Sequence, residues 1–339
     1  MKKQGKKWLA FLMVSLLLVG LLCGCASTKT DPTGGSAADG TTTTASTTTT
    51  TTSDKEMTTT TTNSTTTTTT IIVKEPTSAP TSAPTQAPSA SSTAGYVNTP
   101  INSENISSFA YCNGNLITTD IRGIVVDFHG LGENNMTFTP GELAQICASK
   151  GIVYLYPYDN PWSWMNDLAV RYTDEIIDAV IDKYDLPEDV PIVAAGGSMG
   201  GCSALVYTHY AKRTPVACAT NCAVCDLPYH YTERLDLPRT IYSAFMHYSG
   251  DFTAAMQTAS PYHLAATMPK DTTYYIVACE ADSAVNIGMH SDRFVAELKK
   301  THDNDKITYI RVPGMGHCML PQKEKEAYYD FITSDKWFG

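Results

Sequence analysis

The C-terminal part of the chain predicts an α/β fold built on a mostly parallel sheet. Short, continuously apolar segments such as 123–128 and 191–195 alternate with longer segments whose apolar residues recur every three or four positions. A strand that is apolar at nearly every position is covered on both faces, as strands of a parallel sheet are. The alternation therefore predicts about eight strands with helices on both faces of the sheet.

Each element follows from its local pattern. The dipeptide Asn113-Gly114 is a tight-turn signal and predicts a hairpin between strands 108–112 and 115–119. Residues 166–184 place their apolar side chains on one helical face. The other predicted strands are 123–128, 152–156, 191–195, 216–220, 273–279 and 307–312, and the other predicted helices are 140–150, 199–212, 287–301 and 323–332.

Residues 1–24 have the composition of a secretory signal. Four lysines precede an apolar run over 8–22, which is shorter than the roughly 20 residues of a membrane-spanning helix. The run ends in Leu22-Cys23-Gly24-Cys25, which resembles the lipobox of bacterial lipoproteins and implies a lipid on Cys25. We expect a protein on the extracellular face of the bacterial membrane, held only by this lipid, or a secreted one. An uncleaved anchor and ordinary signal cleavage are the alternatives.

Residues 25–95 predict a disordered linker. The segment is rich in Thr, Ser and Pro, and threonine dominates 41–70. Such a composition buries too little apolar surface to offset the conformational entropy of folding. The proline-bearing part should be extended and stiffer. The folded domain is therefore expected over 96–339, with the linker holding it away from the membrane.

Charge and cysteine usage limit the partners. The formal net charge is −10 and no cluster of Lys and Arg follows the leader, so nucleic acid is not an expected partner. Most of the eight cysteines after the leader lie in apolar runs, which predicts buried free thiols; a disulfide is the alternative that export permits. Cys222 and Cys225 form a C-x-x-C pair without a second pair, so no metal is predicted.

Ser198 lies in a motif typical of a catalytic nucleophile. The sequence Gly196-Gly197-Ser198-Met199-Gly200-Gly201 follows a predicted strand and opens a predicted helix. In a G-x-S-x-G elbow the serine occupies a tight turn where side chains would clash, and the helix N-terminus faces developing negative charge. The alternative is a glycine-rich turn whose serine has no function.

Two later residues complete a candidate catalytic triad. Asp282 follows the strand 273–279, and His317 lies on a glycine-flanked loop after the strand 307–312. An imidazole can accept the serine proton and return it to the leaving group, while a carboxylate fixes its tautomer. The chain order Ser198, Asp282, His317 is the order of the serine-elbow hydrolases. Glu280 is the second candidate for the carboxylate.

These motifs resemble the α/β-hydrolase superfamily over residues 123–332, which implies a three-layer α/β-hydrolase fold. The most similar branch contains dienelactone hydrolases, feruloyl and acetylxylan esterases, and the catalytic domain of prolyl oligopeptidases. The stretch from Gly151 through Tyr156-Pro157 to Trp162 and Trp164 is similar to feruloyl-esterase-like proteins, and Ser260-Pro261 to the peptidase branch. Many relatives have glycine at the position of Cys279.

The resemblance implies further site residues. His129-Gly130-Leu131-Gly132 follows the strand 123–128, and in this superfamily that loop supplies an oxyanion donor. The oxyanion hole would be the backbone amides of Leu131 and Met199, with His129 hydrogen-bonding the loop. The insertion at about 225–259 would cap the site. The candidate pocket residues are His129, Gly130, Tyr158, Trp162 and Trp164; for the aromatic residues, core packing is the alternative.

The expected activity is hydrolysis of carboxylic esters through an acyl-enzyme, of EC 3.1.1 type, without a cofactor or metal. The substrate would be a small-molecule or polysaccharide ester, with acetyl or feruloyl groups of plant cell-wall polysaccharide as one class. A serine peptidase of the prolyl oligopeptidase-like type, acting on small peptides, is the first alternative. The second is a non-catalytic surface binding protein on a hydrolase scaffold.

Overall fold

The computed structural model describes residues 100–133 and 139–339. The leader with Cys25 and the linker 25–95 lie outside the described residues. Within those two ranges, no helix combines the length and the apolar character that crossing a membrane requires. The elements described below fall within the region expected to fold, 96–339.

The sheet has seven strands in the described part of the chain, one fewer than the eight predicted. They lie in the order β1-β3-β2-β4-β5-β6-β7. Only β1 is antiparallel to its neighbour. The carboxyl ends of the other six therefore meet at one edge, where α/β proteins bind ligands. The strands are β1 (Ala110–Cys112), β2 (Gly123–Phe128), β3 (Ile152–Pro157), β4 (Ile192–Gly197), β5 (Ala217–Asn221), β6 (Thr273–Cys279) and β7 (Ile307–Val312).

Helices cover both faces of the sheet. Buried residues of α2, α3 and α8 pack on one face, and those of α1, α9 and α10 pack on the other. Consecutive residues of β2 point to opposite faces of the sheet, so that Ile124 packs in one core and Val125 in the other. The predicted three-layer α/β architecture is thereby confirmed. The helices are α1 (Glu142–Ser149), α2 (Asp167–Tyr184), α3 (Met199–Tyr210), α4 (Leu227–Glu233), α5 (Leu237–Phe245), α6 (Phe252–Thr258), α7 (Pro261–Leu264), α8 (Ser291–Leu298), α9 (Gln322–Ile332) and α10 (Asp335–Phe338).

The hairpin predicted at Asn113-Gly114 is wrong. Residues 114–116 form a 3-10 turn, and β1 pairs with β3 instead of with a strand at 115–119. Asn113 is buried; its side chain donates to the carbonyls of Ala144 and Ile152 (3.0 and 3.2 Å) and accepts from the Tyr154 amide (2.7 Å). These bonds satisfy backbone groups of α1 and β3. Asn113 therefore makes long-range contacts and does not form a hairpin turn.

The long helix α2 begins and ends as its sequence indicates. The side chain of Asn166 accepts a hydrogen bond from the amide of Ala169 (3.0 Å) and so caps the N-terminus. Asp185 ends the helix in the left-handed conformation, with φ of 51°. The helix predicted at 287–301 is shorter, because 287–290 form a turn and α8 begins only at Ser291.

The segment expected to cap the site contains three helices. Helices α4, α5 and α6 lie between β5 and β6 in the chain, and their apolar residues join the core on the α2 and α3 face. Polar contacts also hold them. The Trp164 indole donates to the Thr240 hydroxyl (3.2 Å), and the Asn166 amide donates to the Ala244 carbonyl (2.7 Å). The insertion therefore packs directly against the segment that follows β3.

Candidate active site

Ser198 occupies a sharp turn between β4 and α3. Its φ and ψ are 57° and −123°, a strained conformation for a residue with a side chain, and such strain clusters at functional sites. A Cβ on Gly200 would lie 2.0 Å from the Phe128 carbonyl oxygen, and one on Gly196 would lie 2.3 Å from the Gly200 carbonyl oxygen. Glycine is therefore required at both positions, as in a nucleophile elbow.

The three candidate triad residues form a continuous hydrogen-bonded chain. His317 Nε2 lies 2.9 Å from Ser198 Oγ, and His317 Nδ1 lies 2.6 Å from Asp282 Oδ2. The other oxygen of Asp282 accepts the amides of Ala284 (2.8 Å) and Val285 (3.0 Å), which fixes the carboxylate. With Nδ1 donating to Asp282, a neutral imidazole has Nε2 free to accept the serine proton.

The pKa shifts of His317 and Asp282 favour proton transfer from Ser198 to His317. The hydrogen bond to Asp282 raises the pKa of His317 above its ordinary value, against the opposing effect of burial. Burial by itself would raise the pKa of Asp282, but hydrogen bonds from His317 and from the amides of Val285 and Ala284 lower it overall. Each shift favours the charged form of its group, so the arrangement stabilises an imidazolium beside a carboxylate.

Glu280, the second candidate for the carboxylate, lies elsewhere. Its Oε1 is 3.1 Å from Nε of Arg311, and both side chains are partly exposed. No contact joins Glu280 to His317 among the described residues. The structure therefore brings Asp282, and not Glu280, to the imidazole.

One candidate oxyanion donor directly follows Ser198 in the chain, and the other belongs to a residue that lines the same cavity as Ser198. Met199 is the first residue of α3, and Leu131 belongs to the loop after β2. In the part of the chain that the structure describes, neither backbone amide donates to a protein acceptor. Amides at a helix N-terminus carry a partial positive charge and have no partner within the helix. Both can therefore donate to an oxyanion.

His129 holds the loop that carries Leu131. Its Nδ1 lies 2.8 Å from the Gly130 carbonyl oxygen, and its Nε2 forms an ion pair with Asp159. Both side chains are almost fully buried. Burial by itself would lower the pKa of His129, but Asp159 and the Gly130 carbonyl raise it overall. These contacts agree with the structural role expected of His129.

A cavity of about 480 Å³ opens over Ser198. Of the expected pocket residues, His129, Gly130 and Trp164 line it, whereas Tyr158 and Trp162 do not. Trp162 is half-buried under the guanidinium of Arg239, 4.9 Å from the ring centre. The full lining comprises Asp127, Phe128, His129, Gly130, Leu131, Glu133, Tyr156, Trp164, Gly197, Ser198, His230, Arg234, Val285, His317 and Cys318.

Glu133, Arg234 and Cys318 are among the polar lining residues that the sequence did not predict. Glu133 accepts a hydrogen bond from the Tyr156 hydroxyl (3.0 Å), Arg234 follows α4, and Cys318 is next to His317. No local pattern marks Glu133 or Arg234, because each enters the cavity from a loop. The position of Cys318, directly after the predicted histidine, was a signal that could have found it.

The eight cysteines of the described residues are free thiols. The C-x-x-C pair is divided between the two cores, with Cys222 in one and Cys225 in the other. Cys222 instead meets Cys318, whose backbone amide donates to the Cys222 sulfur (3.4 Å). The Cys318 sulfur lies 3.8 Å from His317 Nε2. Two thiols therefore adjoin the imidazole of the candidate triad.

His230, Glu233 and His290 form another group of side chains that could bind a metal, but they are hydrogen-bonded to one another. Glu233 Oε2 lies 2.6 Å from His230 Nδ1 and 3.0 Å from His290 Nε2. His290 Nδ1 accepts the amides of Cys225 and Asp226, both at 3.0 Å. Its Nε2 therefore carries the hydrogen and donates to Glu233. The cluster ties α4 of the insertion to the start of α8.

Comparison with known proteins agrees with this geometry. Residues 173–338 match the model of the prolyl oligopeptidase family, a range that includes Ser198, Asp282 and His317. A search of curated proteins found no significant match.

Solved structures share the fold at low sequence identity. A substrate-bound structure of Staphylococcus aureus fluorophosphonate-binding serine hydrolase F has a TM-score of 0.51 and 16% identity, covering 64% of this chain and 86% of that one. An acylaminoacyl peptidase in complex with Z-Gly-Gly-Phe-chloromethyl ketone has a TM-score of 0.50 and 15% identity, over 64% and 37%. A Mycobacterium tuberculosis puromycin-hydrolyzing peptidase has a TM-score of 0.49 and 17% identity, over 64% and 35%.

The chain spans about a third of the length of the two peptidases, covering 37% and 35% of them. The fold and the family match together define the class of this protein. The chain has the α/β-hydrolase fold, and its residues 173–338 match the prolyl oligopeptidase family.

Proposed function

We propose that the protein hydrolyses carboxylic esters through an acyl-enzyme formed on Ser198. The observation that carries this proposal is the chain of two hydrogen bonds, 2.9 and 2.6 Å long, that joins Ser198 through His317 to Asp282. Ser198 and His317 both line the cavity, so a bound carbonyl carbon can reach the serine oxygen. A positioned base at hydrogen-bond distance is what activates a serine nucleophile.

The reaction would proceed in two halves. His317 Nε2 accepts the proton as Ser198 Oγ attacks the carbonyl, and the amides of Leu131 and Met199 hold the negative oxygen. The imidazolium then protonates the departing alcohol. In the second half, His317 deprotonates a water molecule that attacks the acyl-enzyme, and the imidazolium then returns this proton to Ser198 Oγ as the Ser198–acyl bond breaks and the acid leaves. Asp282 keeps Nδ1 protonated and stabilises the imidazolium in both halves.

The cavity supports a polar substrate. Glu133, Tyr156 and Arg234 place a carboxylate, a phenol and a guanidinium around the opening, while Trp164 supplies an aromatic wall. Such a mixed lining suits the hydroxyl groups and apolar faces of a sugar. We propose acetyl or feruloyl esters on plant cell-wall polysaccharide as the substrate class, acted on by an enzyme that is secreted or held outside the cell by a lipid on Cys25.

A serine peptidase acting on small peptides is the second candidate. The family match supports it, because the matched model is that of the prolyl oligopeptidase family. The acylaminoacyl peptidase shares the fold with a TM-score of 0.50. Peptide and ester hydrolysis use the same serine, imidazole and oxyanion groups, so the leaving group distinguishes them.

A substrate panel tests the proposal. The purified chain would be assayed on acetylated xylan, feruloyl esters, short p-nitrophenyl esters and fluorogenic dipeptides, with Ser198→Ala as the blank. We expect serine-dependent turnover of esters, including the polysaccharide esters. If only the short synthetic esters were hydrolysed, polysaccharide esters would be excluded as the substrate class. Peptide turnover equal to ester turnover would favour the peptidase, and no turnover by the unaltered protein would favour a binding protein on this scaffold.

A further inference from the structure

We propose that Cys222, His317 and Cys318 form a zinc-binding site through which Zn²⁺ inhibits the hydrolase. The inhibitory part rests on the proposed function of His317. The ligand set differs from the C-x-x-C motif of the sequence, because only Cys222 of that pair takes part. It joins a residue after β5 to two consecutive residues of the loop after β7.

The distances suit a tetrahedral metal. In such a site, with Zn–S of about 2.3 Å and Zn–N of about 2.0 Å, neighbouring ligand atoms lie about 3.5–3.8 Å apart. Cys318 Sγ is 3.8 Å from His317 Nε2, and these two atoms and Cys222 Sγ all lie within 4.8 Å of one another. Small rotations of the thiol side chains would bring all three to bonding distance.

The surroundings of His317 already have the form of a zinc ligand's second shell. In almost all zinc-bound histidines, the N–H of the other ring nitrogen donates a hydrogen bond to a carboxylate or a carbonyl. Here Nδ1 donates to Asp282 (2.6 Å), which leaves the Nε2 lone pair directed at Ser198 Oγ and close to Cys318 Sγ. The carboxylate that prepares the imidazole as a base therefore also prepares it as a metal ligand.

The metal can reach the site from the cavity. Cys318 and His317 line that cavity, while Cys222 is buried and its sulfur accepts a hydrogen bond from the Cys318 amide. Binding would release one proton from each thiol, and the two thiolates would neutralise the charge of the ion. The imidazole nitrogen keeps its lone pair on zinc and can no longer accept the Ser198 proton. A water molecule from the cavity would take the fourth position.

Zinc affinity gives a test that does not depend on activity. The full chain, kept in a non-thiol reductant, would compete for zinc chloride with a chromophoric chelator. We expect one tight equivalent of zinc, weakened at least about tenfold in Cys318→Ser and in Cys222→Ala, since each removes a direct ligand. Cys112→Ser is the matched control, because it removes a half-buried thiol on the far strand β1. Thermal unfolding would show that each variant is folded.

Inhibition is measured separately. We expect zinc chloride to block ester hydrolysis and fluorophosphonate labelling of Ser198, EDTA to restore both, and the two variants to resist zinc relative to their own rates in EDTA. Zinc affinity that is absent, or unchanged in both folded variants, would overturn the site. If zinc bound tightly but changed neither ester hydrolysis nor the labelling of Ser198, the proposed inhibition by zinc would be contradicted. If the protein binds zinc as expected but hydrolyses no substrate, the proposed function fails and the metal site stands.

Discussion

His317 Nδ1 lies 2.6 Å from Asp282 Oδ2, across a gap of 35 residues in the sequence. The carboxylate is itself held by two backbone amides of its own loop, those of Ala284 and Val285. The carboxylate that orients the imidazole is therefore itself held by the backbone of the turn after β6. Removing the charge of this carboxylate should affect the imidazole directly.

We predict that Asp282→Asn lowers kcat for ester substrates about 10⁴-fold with little change in folding. An amide at this position favours the wrong imidazole tautomer and does not stabilise the imidazolium. Steady-state kinetics with a p-nitrophenyl ester would measure the loss. Glu280→Gln is the control, since Glu280 pairs with Arg311 (3.1 Å); it should change kcat less than about threefold. Equal losses in the two variants would contradict the assignment.

The pH dependence of kcat/KM should follow His317. Only the neutral imidazole accepts the serine proton, so the rate should fall as the pH drops through the pKa of His317. Because the hydrogen bond to Asp282 raises that pKa, the acid inflection is expected above the ordinary value of about 6.5. In Asp282→Asn the residual activity should show its inflection at lower pH. An unaltered enzyme with its inflection below the ordinary value would contradict this cause.

The close approach of Gly200 to β2 should make it intolerant of any side chain. A Cβ there would lie 2.0 Å from the Phe128 carbonyl oxygen, which is backbone and cannot rotate away. We expect Gly200→Ala to destabilise the protein by about 1–3 kcal/mol or more, as overpacking does. Gly288→Ala, whose nearest neighbour would be 3.4 Å away, is the control. Equal melting temperatures for both variants in calorimetry would show that the loop after β2 adapts freely.

Glu233 should be important for holding the insertion. Burial by itself would raise the pKa of its carboxyl, but hydrogen bonds from His230 and His290 lower it overall. We expect Glu233→Gln to cost about 1–3 kcal/mol, because charge-assisted hydrogen bonds to partly buried groups are lost. Urea unfolding would measure this, and proteolysis should become faster within 227–258. Glu297→Gln, which removes a surface pair with Lys300, should cost less than about 0.5 kcal/mol. Similar costs would contradict a special role for Glu233.

The residues of the candidate triad could be predicted from the sequence because each lies after a predicted strand. Ser198, Asp282 and His317 each follow a strand that the sequence predicts; β4 and β6 are almost continuously apolar, whereas β7 includes Thr308 and Arg311. Carboxyl ends of parallel strands meet at one edge of a sheet, so a strand pattern also predicts proximity. Their assembly needed no knowledge of individual side-chain contacts.

Features that depend on long-range contacts were not predictable in this way. The turn signal at Asn113-Gly114 reflects a local preference, whereas buried Asn113 bonds to Ala144 and Ile152. Trp164, whose backbone φ is 45°, lines the cavity, while nearby Trp162 packs under Arg239. Sequence spacing does not distinguish these two tryptophans.

The central claim is that Ser198 is the nucleophile, and covalent labelling tests it most directly. The purified protein would be treated with a fluorophosphonate, digested and analysed by mass spectrometry. We expect a single adduct on the peptide that contains Ser198, absent from Ser198→Ala and strongly slowed in a His317→Ala variant. Lack of an adduct on the folded protein, or an adduct on another residue that persists in Ser198→Ala, would contradict the account.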